Sequence, residues 1–567
     1  MGVESRTLTA GAPLLYRCDE SPSPAPIDPG SAGPRKQRSS GGMDDAPMPG
    51  HPSVVERLAR LAPDQRAAAT APPGPVLCVA PAGSGKTTTL VARVAWLVDG
   101  GSLPGGITVV AFNKRAAEEL DERLWAALTP LEAAGHVRVR TFHALGREIL
   151  ADAGVAVEPV ADRAAVLRSI EPGIDRARIG RLDLAISRLK LDLQVSPDEV
   201  AADPLAGPIA RAYVAYEQAV AATGGLDFDD LIVRSFRALQ GDAALLERWR
   251  ARCHDLLVDE AQDLDRSQLD LALLLAAPAN RVFLVGDDDQ TIYGWRLADV
   301  RRVLGLADAL PGLRRLDLTV NYRCPEPVVR RAVRLVEGNA ERFVKTILPR
   351  PSAPGRLVLA PDATDDVIRI GRAIDAWPTD GGTRSILTRT NRELLPAVIA
   401  CLERSLPFRA PPLPQPLLDP RLDRLLALLA ETDSTMALLV RVASVRDRIA
   451  RERALVEDAS PTTQDDDLPS PPELGTALLA WSARYRSLEE LTAAVAERRE
   501  RLTRLHRDDA DLTLATAHGT KGLEFDHVVV LADGFPAKRA VGEAVEPQRV
   551  LEEERRLAYV AWTRARR

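Results

Sequence analysis

Short apolar runs alternate with longer helical patterns along most of the chain. The strand-sized runs occur at residues 76–79, 107–112, 137–142, 256–259, 282–286, 316–320, 385–388, 512–516 and 527–531. Because strands that alternate with helices form parallel sheets with crossover helices, this pattern predicts an α/β fold. The first five runs form one series and the last four form a second series, so two α/β units are expected.

Two blocks with a helical pattern interrupt the strand series, at about residues 151–221 and 410–505. They predict that each unit carries a helical insertion. The expected plan assigns residues 51–150 and 222–313 to the first unit and residues 314–409 and 506–567 to the second. Residues 1–50 are rich in Pro, Gly and Ser and are predicted to be disordered, and the acidic, Pro-rich stretch 460–472 is predicted to be a mobile loop.

A Gly-rich turn follows the first apolar run and reads Ala-Pro-Ala-Gly-Ser-Gly-Lys-Thr over residues 80–87. Such a turn between a strand and a helix is typical of a phosphate-binding loop, in which Lys86 reaches the β and γ oxygens and Thr87 binds Mg²⁺. The sequence predicts an ATP or GTP site, and a purely structural turn is the alternative. The predicted nucleotide-binding residues here are Ala82, Gly83, Ser84, Gly85, Lys86, Thr87 and Thr88.

Two further apolar runs end in polar residues that suit nucleotide hydrolysis. Asp259 can hold Mg²⁺, and Glu260 beside it can orient and deprotonate the attacking water. Gln290 follows the run at 282–286, and its amide can sense a γ-phosphate because it both donates and accepts. The alternatives are an acidic helix start at 259–260 and a solvated turn for the three aspartates at 287–289.

Aromatic residues make up only 4% of the chain, yet Tyr293 and Trp295 stand two positions apart beside Arg296. Alternate aromatics beside an Arg form a platform on which nucleic-acid bases stack, with roughly 1–3 kcal/mol per base. Packing in the core is the alternative.

Composition narrows the class of protein without naming an activity. The 567 residues carry 27% charged side chains and a formal net charge of −6, which says little about nucleic acid because a local groove can be basic. The longest apolar runs are strand-sized, which argues against a membrane span, and no signal peptide is expected because the first residues lack a charged-then-apolar pattern. The five cysteines are scattered, which argues against a disulfide framework or a zinc site and for the cytoplasm.

The segments above resemble, in order, the motifs of superfamily 1 helicases of the UvrD/Rep/PcrA type. Further matching segments lie at residues 62–65, 111–117, 141–143, 321–323, 516–525 and 554–565, so the resemblance covers about 54–567. It implies two RecA-like parallel-sheet P-loop NTPase domains, each with a helical insertion. It also implies an enzyme that uses ATP and Mg²⁺ to unwind DNA.

The resemblance assigns roles to residues outside the strand ends. Gln65 would read adenine with its amide and Tyr322 would stack on adenine, while Glu524 would contact the nucleotide. Arg323 and Arg564 would meet the γ-phosphate, with Arg564 as an arginine finger. The expected contacts to single-stranded DNA are Phe112, Asn113, Thr141, His143, Tyr293, Trp295, Arg296 and His518.

By the same resemblance, the chain is expected to move 3′ to 5′ on single-stranded DNA, to act at junctions with duplex, and to serve in repair or replication restart. Two alternatives stay open. One is the motor subunit of a helicase–nuclease complex, and the other is an ATP-gated translocase that displaces proteins without separating strands. Any repair or nuclease partner proteins stay unidentified.

Several features depart from the family pattern. Leu297 stands where these helicases usually carry Gly, and Thr88 stands where they usually carry Arg. The insertion at 410–505 looks short, which favours the translocase alternative. Arg567 directly follows the last motif, where relatives continue into another strand and a tail, so a truncated second unit with an unpaired sheet edge is expected.

Overall fold

The computed structural model describes residues 50–193, 196–203, 207–360, 365–413, 416–457, 471–536 and 546–567. The N-terminal segment predicted to be disordered, apart from Gly50, lies outside the described residues. The predicted loop at 460–472, apart from its last two residues, lies outside them as well.

Strands and helices are numbered here in chain order. The strands are β1 (Val76–Val79), β2 (Ile107–Ala111), β3 (Arg138–Thr141), β4 (Asp255–Val258), β5 (Val282–Gly286), β6 (Arg314–Asp317), β7 (Val320–Asn321), β8 (Leu348–Pro349), β9 (Arg384–Thr388), β10 (Leu512–Thr516) and β11 (His527–Val530). The helices are α1 (Pro52–Ala59), α2 (Pro63–Ala69), α3 (Lys86–Asp99), α4 (Lys114–Leu128), α5 (Phe142–Asp152), α6 (Arg163–Ile170), α7 (Arg176–Leu191), α8 (Pro197–Ala202), α9 (Pro208–Ala222), α10 (Phe228–Gly241), α11 (Ala243–Arg252), α12 (Arg266–Ala276), α13 (Val300–Leu304), α14 (Leu306–Ala309), α15 (Glu326–Val336), α16 (Asp366–Asp375), α17 (Leu395–Arg404), α18 (Pro420–Ala430), α19 (Leu438–Glu457), α20 (Pro471–Ser482), α21 (Leu488–Leu505) and α22 (Pro547–Trp562).

A six-stranded parallel sheet in the order β3-β2-β4-β5-β1-β6 forms the centre of the first unit. Strands β1, β2, β4 and β5 are buried along their whole length, which explains their continuous apolar sequences. Helices α1–α4 pack on one face and α5 with α10–α12 on the other. The predicted α/β fold is confirmed.

The sheet brings three predicted segments together at the carboxyl end of its strands. The turn after β1, the acids after β4 and the polar stretch after β5 all lie at the carboxyl ends of parallel strands, where open α/β sheets bind ligands. The Ala80 N–H donates to the Gly286 carbonyl across 2.7 Å, which joins the first and third of these segments directly.

One strand lies in a different sheet from the one that the sequence indicates. The run at 316–320 is expected to open the second strand series, but β6 pairs in parallel with β1, with Val76 opposite Arg314 and Val79 opposite Asp317. Apolar alternation identifies a strand without identifying its partner, and β1 still has an unpaired edge after it has paired with β5. The first sheet therefore extends through Asp317.

The second unit contains a smaller parallel sheet in the order β10-β9-β11 among the described residues. Helices α16, α17 and the end of α21 pack on one face, and α22 packs on the other through Leu557 and Val560. The short strands β7 and β8 pair with each other.

Each helical block has an apolar core of its own. Helices α6, α7 and α9 share a cluster that includes Ile186 and Tyr216, and α18–α21 share one that includes Leu429 and Leu491. The helical character of both blocks is confirmed. None of the described helices combines the length and the apolarity that a membrane crossing demands.

Candidate functional site

The turn after β1 wraps closely around the start of α3. Gly83 and Gly85 adopt φ values of 70° and 86°, in the left-handed region that favours glycine. A Cβ on Gly83 would lie 2.7 Å from the Cβ of Arg323, and one on Gly85 would lie 2.6 Å from the Nε2 of Gln65. Both positions therefore require glycine for conformational and for steric reasons.

The residues of this turn fit a bound phosphate chain. The Ser84 side chain is buried, and its hydroxyl has no hydrogen-bond partner among the described residues. A buried polar atom without a partner is costly, so a ligand with acceptor oxygens suits this position. Helix α3 begins at Lys86 and directs its N-terminal amides at the same turn. Thr87 is half-buried and Thr88 is exposed in the first turn of α3.

Lys86 and Glu260 form a partly buried ion pair at the sheet edge, with 2.9 Å between Nζ and Oε2. Burial disfavours the ionised carboxylate of Glu260, yet Lys86 and Lys521 outweigh it and hold its pKa below the ordinary value. Burial and the neighbouring Glu260 together raise the pKa of Asp259. Glu260 also adopts a left-handed φ of 51°, a strained conformation of the kind that clusters at functional sites.

Asp287 connects the phosphate-binding turn to Gln290. Its Oδ2 accepts from the Ala82 N–H at 3.1 Å and from the Gln290 Nε2 at 2.7 Å. The free side of the Gln290 amide faces Arg564, whose Nη2 donates to Oε1 across 3.2 Å. Gln290 is therefore held between the turn and an arginine from the end of the chain.

The two predicted arginines meet at this site. Arg323 pairs with Glu524 and donates to the Thr563 carbonyl at 3.1 Å. Arg564 is 1% exposed and donates to the carbonyls of Val560 and Leu523. Burial, and then the nearby Arg323, lower the pKa of Arg564 to about 10.

Tyr322 and Gln65 each contact a backbone carbonyl of the turn. The Tyr322 N–H donates to the Gly83 carbonyl at 2.8 Å, and its side chain is partly exposed. The Gln65 Nε2 donates to the Ser84 carbonyl at 2.8 Å, while its Oε1 accepts from the Ala62 N–H at 3.1 Å. Gln65 thus supports the turn directly, a contact that the sequence does not indicate.

The three aspartates at 287–289 are buried, which contradicts the solvated turn that such a run suggests. The Lys345 ammonium lies 2.7 Å from Asp287 and 2.9 Å from Asp289, and it also pairs with Asp288. Arg342 adds a second cation, 2.8 Å from Asp289. Local sequence could not reveal this cluster, because its cations lie more than fifty residues further along the chain.

Lys521 joins the nucleotide side of the site to a group of aromatic residues. Its ammonium pairs with the buried Asp263 and donates to the Gln290 carbonyl at 2.8 Å. The same ammonium lies 5.0 Å from the centre of the Tyr293 ring, a cation–π contact. The sequence places Lys521 within a family motif but does not single it out.

Four of the predicted DNA-contact rings form one aromatic cluster. The Phe112 and Tyr293 rings stack with centroids 5.1 Å apart, and Trp295 and His518 lie 6.0 and 6.5 Å from Tyr293. Arg296 covers the Trp295 ring at 4.6 Å. Trp295 is 52% exposed, so core packing, the alternative for this residue, does not describe it.

The other predicted DNA contacts lie at helix starts. The Asn113 and Thr141 side chains cap α4 and α5 by accepting from backbone N–H groups at 2.9 and 3.2 Å. His143 lies in the first turn of α5, 6.0 Å from the ring of Phe228. Phe228 is 60% exposed and is missing from the sequence-based set, although an aromatic at a helix start in an aromatic-poor chain could have indicated it.

Two family models match the chain. The UvrD/REP helicase N-terminal domain matches residues 61–311, and the UvrD-like helicase C-terminal domain matches residues 439–567. Together they cover more than half of the chain.

Curated relatives give the same result. The ATP-dependent DNA helicase Rep of Escherichia coli strain K12 is 34% identical over 303 residues, which are 51% of this chain and 45% of Rep. The DNA helicase II of the same strain is 30% identical over 364 residues, or 61% and 50% of the two chains. The ATP-dependent DNA helicase PcrA of Leuconostoc citreum is 32% identical over 289 residues, or 48% and 38%. The chain spans about half the length of the relatives Rep and DNA helicase II. The two family models show that the chain belongs to the UvrD/REP helicase family, and its similarity to these relatives agrees with them.

Proposed function

We propose that this chain is an ATP-driven motor that moves along single-stranded DNA and separates duplex ahead of it. The observation that carries the proposal is the meeting of Arg323 and Arg564 with Lys86, Glu260 and Gln290 at the edge of the first sheet. Both arginines belong to the second unit, whereas the phosphate-binding turn belongs to the first. They therefore reach a nucleotide at that turn only while the two units are closed around it. Hydrolysis would then open and close the cleft, which is the motion a translocating motor requires.

The acids of the first sheet would prepare the attacking water. Thr87 and Asp259 are the residues that would hold Mg²⁺, which neutralises phosphate charge when it is bound. Glu260 would orient the water and accept its proton, since Lys86 keeps its carboxylate ionised. Gln290, fixed by Asp287 and Arg564, would sense the γ-phosphate.

The cations would stabilise the charge that develops on the transferring phosphate. Lys86 would hold the β and γ oxygens, and Arg323 and Arg564 would add guanidinium contacts, an effect of about 10³–10⁵ in rate for an arginine finger. Gln65 and Tyr322, which both contact the turn, would bind adenine, and Glu524 would hold Arg323 in place beside the nucleotide.

Single-stranded DNA would lie over the aromatic cluster. Stacking on Trp295, Tyr293 and Phe112 is tolerant of sequence, so the strand would be held without base preference. Arg296, His518 and the residues at the starts of α4 and α5 would contribute polar contacts. Because Lys521 contacts both Tyr293 and the Gln290 carbonyl, it would transmit the state of the nucleotide to the strand.

The finer assignments follow the family. We propose movement 3′ to 5′, action at junctions of single and double strands, a role in repair or replication restart and a cytoplasmic location. The first RecA-like domain would comprise residues 51–150 and 222–317, with its end moved to include β6. The second would comprise 318–409 and 506–567, with insertions at 151–221 and 410–505.

Strand-displacement assays test the proposal. Forked and tailed duplexes that carry a 3′ or a 5′ single-stranded tail are incubated with the protein and ATP, and displaced strand is measured. Displacement from 3′-tailed but not 5′-tailed substrates is expected. ATP-dependent removal of streptavidin from biotinylated single strands without strand separation would instead identify a protein-displacing translocase. No ATP-dependent effect on either substrate would contradict the proposal.

A further inference from the structure

Leu297 adopts a backbone conformation that leucine seldom takes. Its φ is 67° and its ψ is 13°, in the left-handed region where the Cβ is crowded against the backbone. A residue in this region persists only when its surroundings hold it. Glycine would occupy the position without strain, so contacts of the leucine side chain must compensate for the strained backbone.

The Leu297 side chain is buried against the first helical insertion and its neighbour. It is 8% exposed and forms a small apolar cluster with Leu191, the last residue of α7, and with Val233 of α10. Helix α7 belongs to the insertion, whereas Leu297 directly follows the aromatic pair Tyr293 and Trp295. The cluster therefore connects the insertion to the segment that carries the stacking platform.

Arg302 reinforces the same connection with polar contacts. Its guanidinium donates to the Leu297 carbonyl, and the same group lies 3.3 Å from the Oδ1 of Asp192, the residue that caps the end of α7. Backbone and side chain of Leu297 are thus both tied to the end of the insertion helix.

The segment 293–298, which we call the stacking loop, is also held at its start, where the Tyr293 ring stacks on Phe112 and contacts Lys521. Within it, the Leu297 N–H donates to the Gly294 carbonyl at 3.0 Å and the Ala298 N–H donates to the Tyr293 carbonyl at 3.2 Å. Glu553 of α22 accepts from the Gly294 N–H at 3.0 Å. Trp295 projects from the loop and is half exposed.

We infer that Leu297 is a positioning residue that anchors the stacking loop to the first helical insertion and thereby sets how strongly Trp295 holds single-stranded DNA. The consequence for DNA rests on the proposed function, whereas the anchoring itself does not. A glycine at this position would supply the turn but no apolar anchor.

Two measurements on purified full-length variants test the inference. Hydrogen exchange without DNA reports the protection of the amides at 296–298, and ATP hydrolysis titrated with single-stranded DNA reports the concentration for half-maximal stimulation. Leu297→Ala and Leu191→Ala, on opposite sides of the contact, should each speed exchange in the loop and raise that concentration about fivefold or more. Leu297→Met should behave like the wild type. The double variant Leu297→Ala/Leu191→Ala should resemble either single variant, because each substitution alone already removes the contact between the two side chains.

A buried leucine of the main core supplies the control. Leu245→Ala should lower thermal stability without changing loop exchange or the DNA concentration for half-maximal stimulation. Unchanged loop exchange in Leu297→Ala would overturn the anchoring, whatever the DNA titration of ATP hydrolysis shows. Faster exchange with unchanged DNA dependence would overturn the effect on DNA grip. If DNA fails to stimulate the wild type, the proposed function is wrong, and exchange alone decides whether the anchor exists.

Discussion

The guanidinium of Arg564 donates to the side-chain oxygen of Gln290 across 3.2 Å. Gln290 follows strand β5 of the first sheet, and Arg564 lies two residues after α22, the helix that packs on the second sheet. This hydrogen bond joins the two units at the site that we propose for the γ-phosphate. In the proposed motor, a change at the nucleotide passes between the units through this contact.

Replacing Arg564 by Ala should reduce ATP turnover about 10³-fold or more while nucleotide binding is retained, because a transition-state contact is lost. Turnover and binding of a fluorescent nucleotide would be measured separately. Arg93→Ala removes another buried arginine, one that donates to the Ala69 and Ala71 carbonyls, and so controls for loss of stability. If Arg564→Ala turned ATP over no more slowly than the Arg93→Ala control, Arg564 would have no role in hydrolysis.

Trp295→Ala should weaken binding of single-stranded DNA by about 5- to 150-fold, since stacking contributes roughly 1–3 kcal/mol per base. Its affinity for nucleotide should stay near that of the wild type. Trp125→Ala, which removes another exposed tryptophan from α4, is the matched control. Equal losses of DNA and nucleotide affinity in Trp295→Ala would show that the ring stabilises the fold rather than binds DNA.

Phe228→Ala should also weaken DNA binding, because this exposed ring lies beside His143. The expected loss is smaller than for Trp295→Ala, since the Phe228 ring contacts one predicted DNA residue while Trp295 lies beside both Tyr293 and Arg296. Fluorescence anisotropy with a labelled oligonucleotide measures both variants. Wild-type affinity in Phe228→Ala would exclude it from the DNA surface.

Lys345→Met should lower the free energy of unfolding by about 3–5 kcal/mol, because three buried aspartates would lose their shared cation. Chemical denaturation measures this loss. Lys114→Met removes an exposed lysine whose nearest carboxylate, on Glu118, is 3.7 Å away, and it should change stability by less than about 1 kcal/mol. Similar small effects of both substitutions would contradict a structural role for the cluster.

The candidate site residues at the strand ends of the first sheet could be predicted from sequence because each group is contiguous in the chain and directly follows an apolar run. A buried parallel strand reads as a continuous apolar run, and the segments that follow β1, β4 and β5 meet at the carboxyl end of the sheet. The family motifs then identified Arg323 and Arg564, which no local pattern marks.

Contacts between distant segments could not be predicted in this way. The burial of Asp287, Asp288 and Asp289 depends on Lys345, and the place of β6 depends on which strand edge remains free. The left-handed conformation of Leu297 conflicts with local propensity and persists through its contacts with the insertion. Such features depend on tertiary packing rather than on local sequence.

His518 should make stability depend on pH. Burial, and then the nearby Arg389, lower the pKa of His518 from 6.5 to about 4. Between these values the unfolded chain binds a proton that the folded chain does not, so this group makes the free energy of unfolding fall as the pH is lowered from 6.5 to about 4, by at most about 1.4 kcal/mol per pH unit. His518→Gln should show a shallower fall across this window in denaturation experiments. An identical pH dependence in both proteins would contradict the lowered pKa of the half-buried His518 imidazole.

The most direct test of a coupled motor is steady-state ATP hydrolysis with and without single-stranded DNA, with Glu260→Gln as the inactive reference. A carboxamide cannot accept the proton of the attacking water, so the variant should bind ATP but not turn it over. DNA should strongly stimulate hydrolysis by the wild type, and Glu260→Gln should show no turnover with or without DNA. Hydrolysis that is indifferent to DNA, or a Glu260→Gln variant as active as the wild type, would contradict a coupled motor.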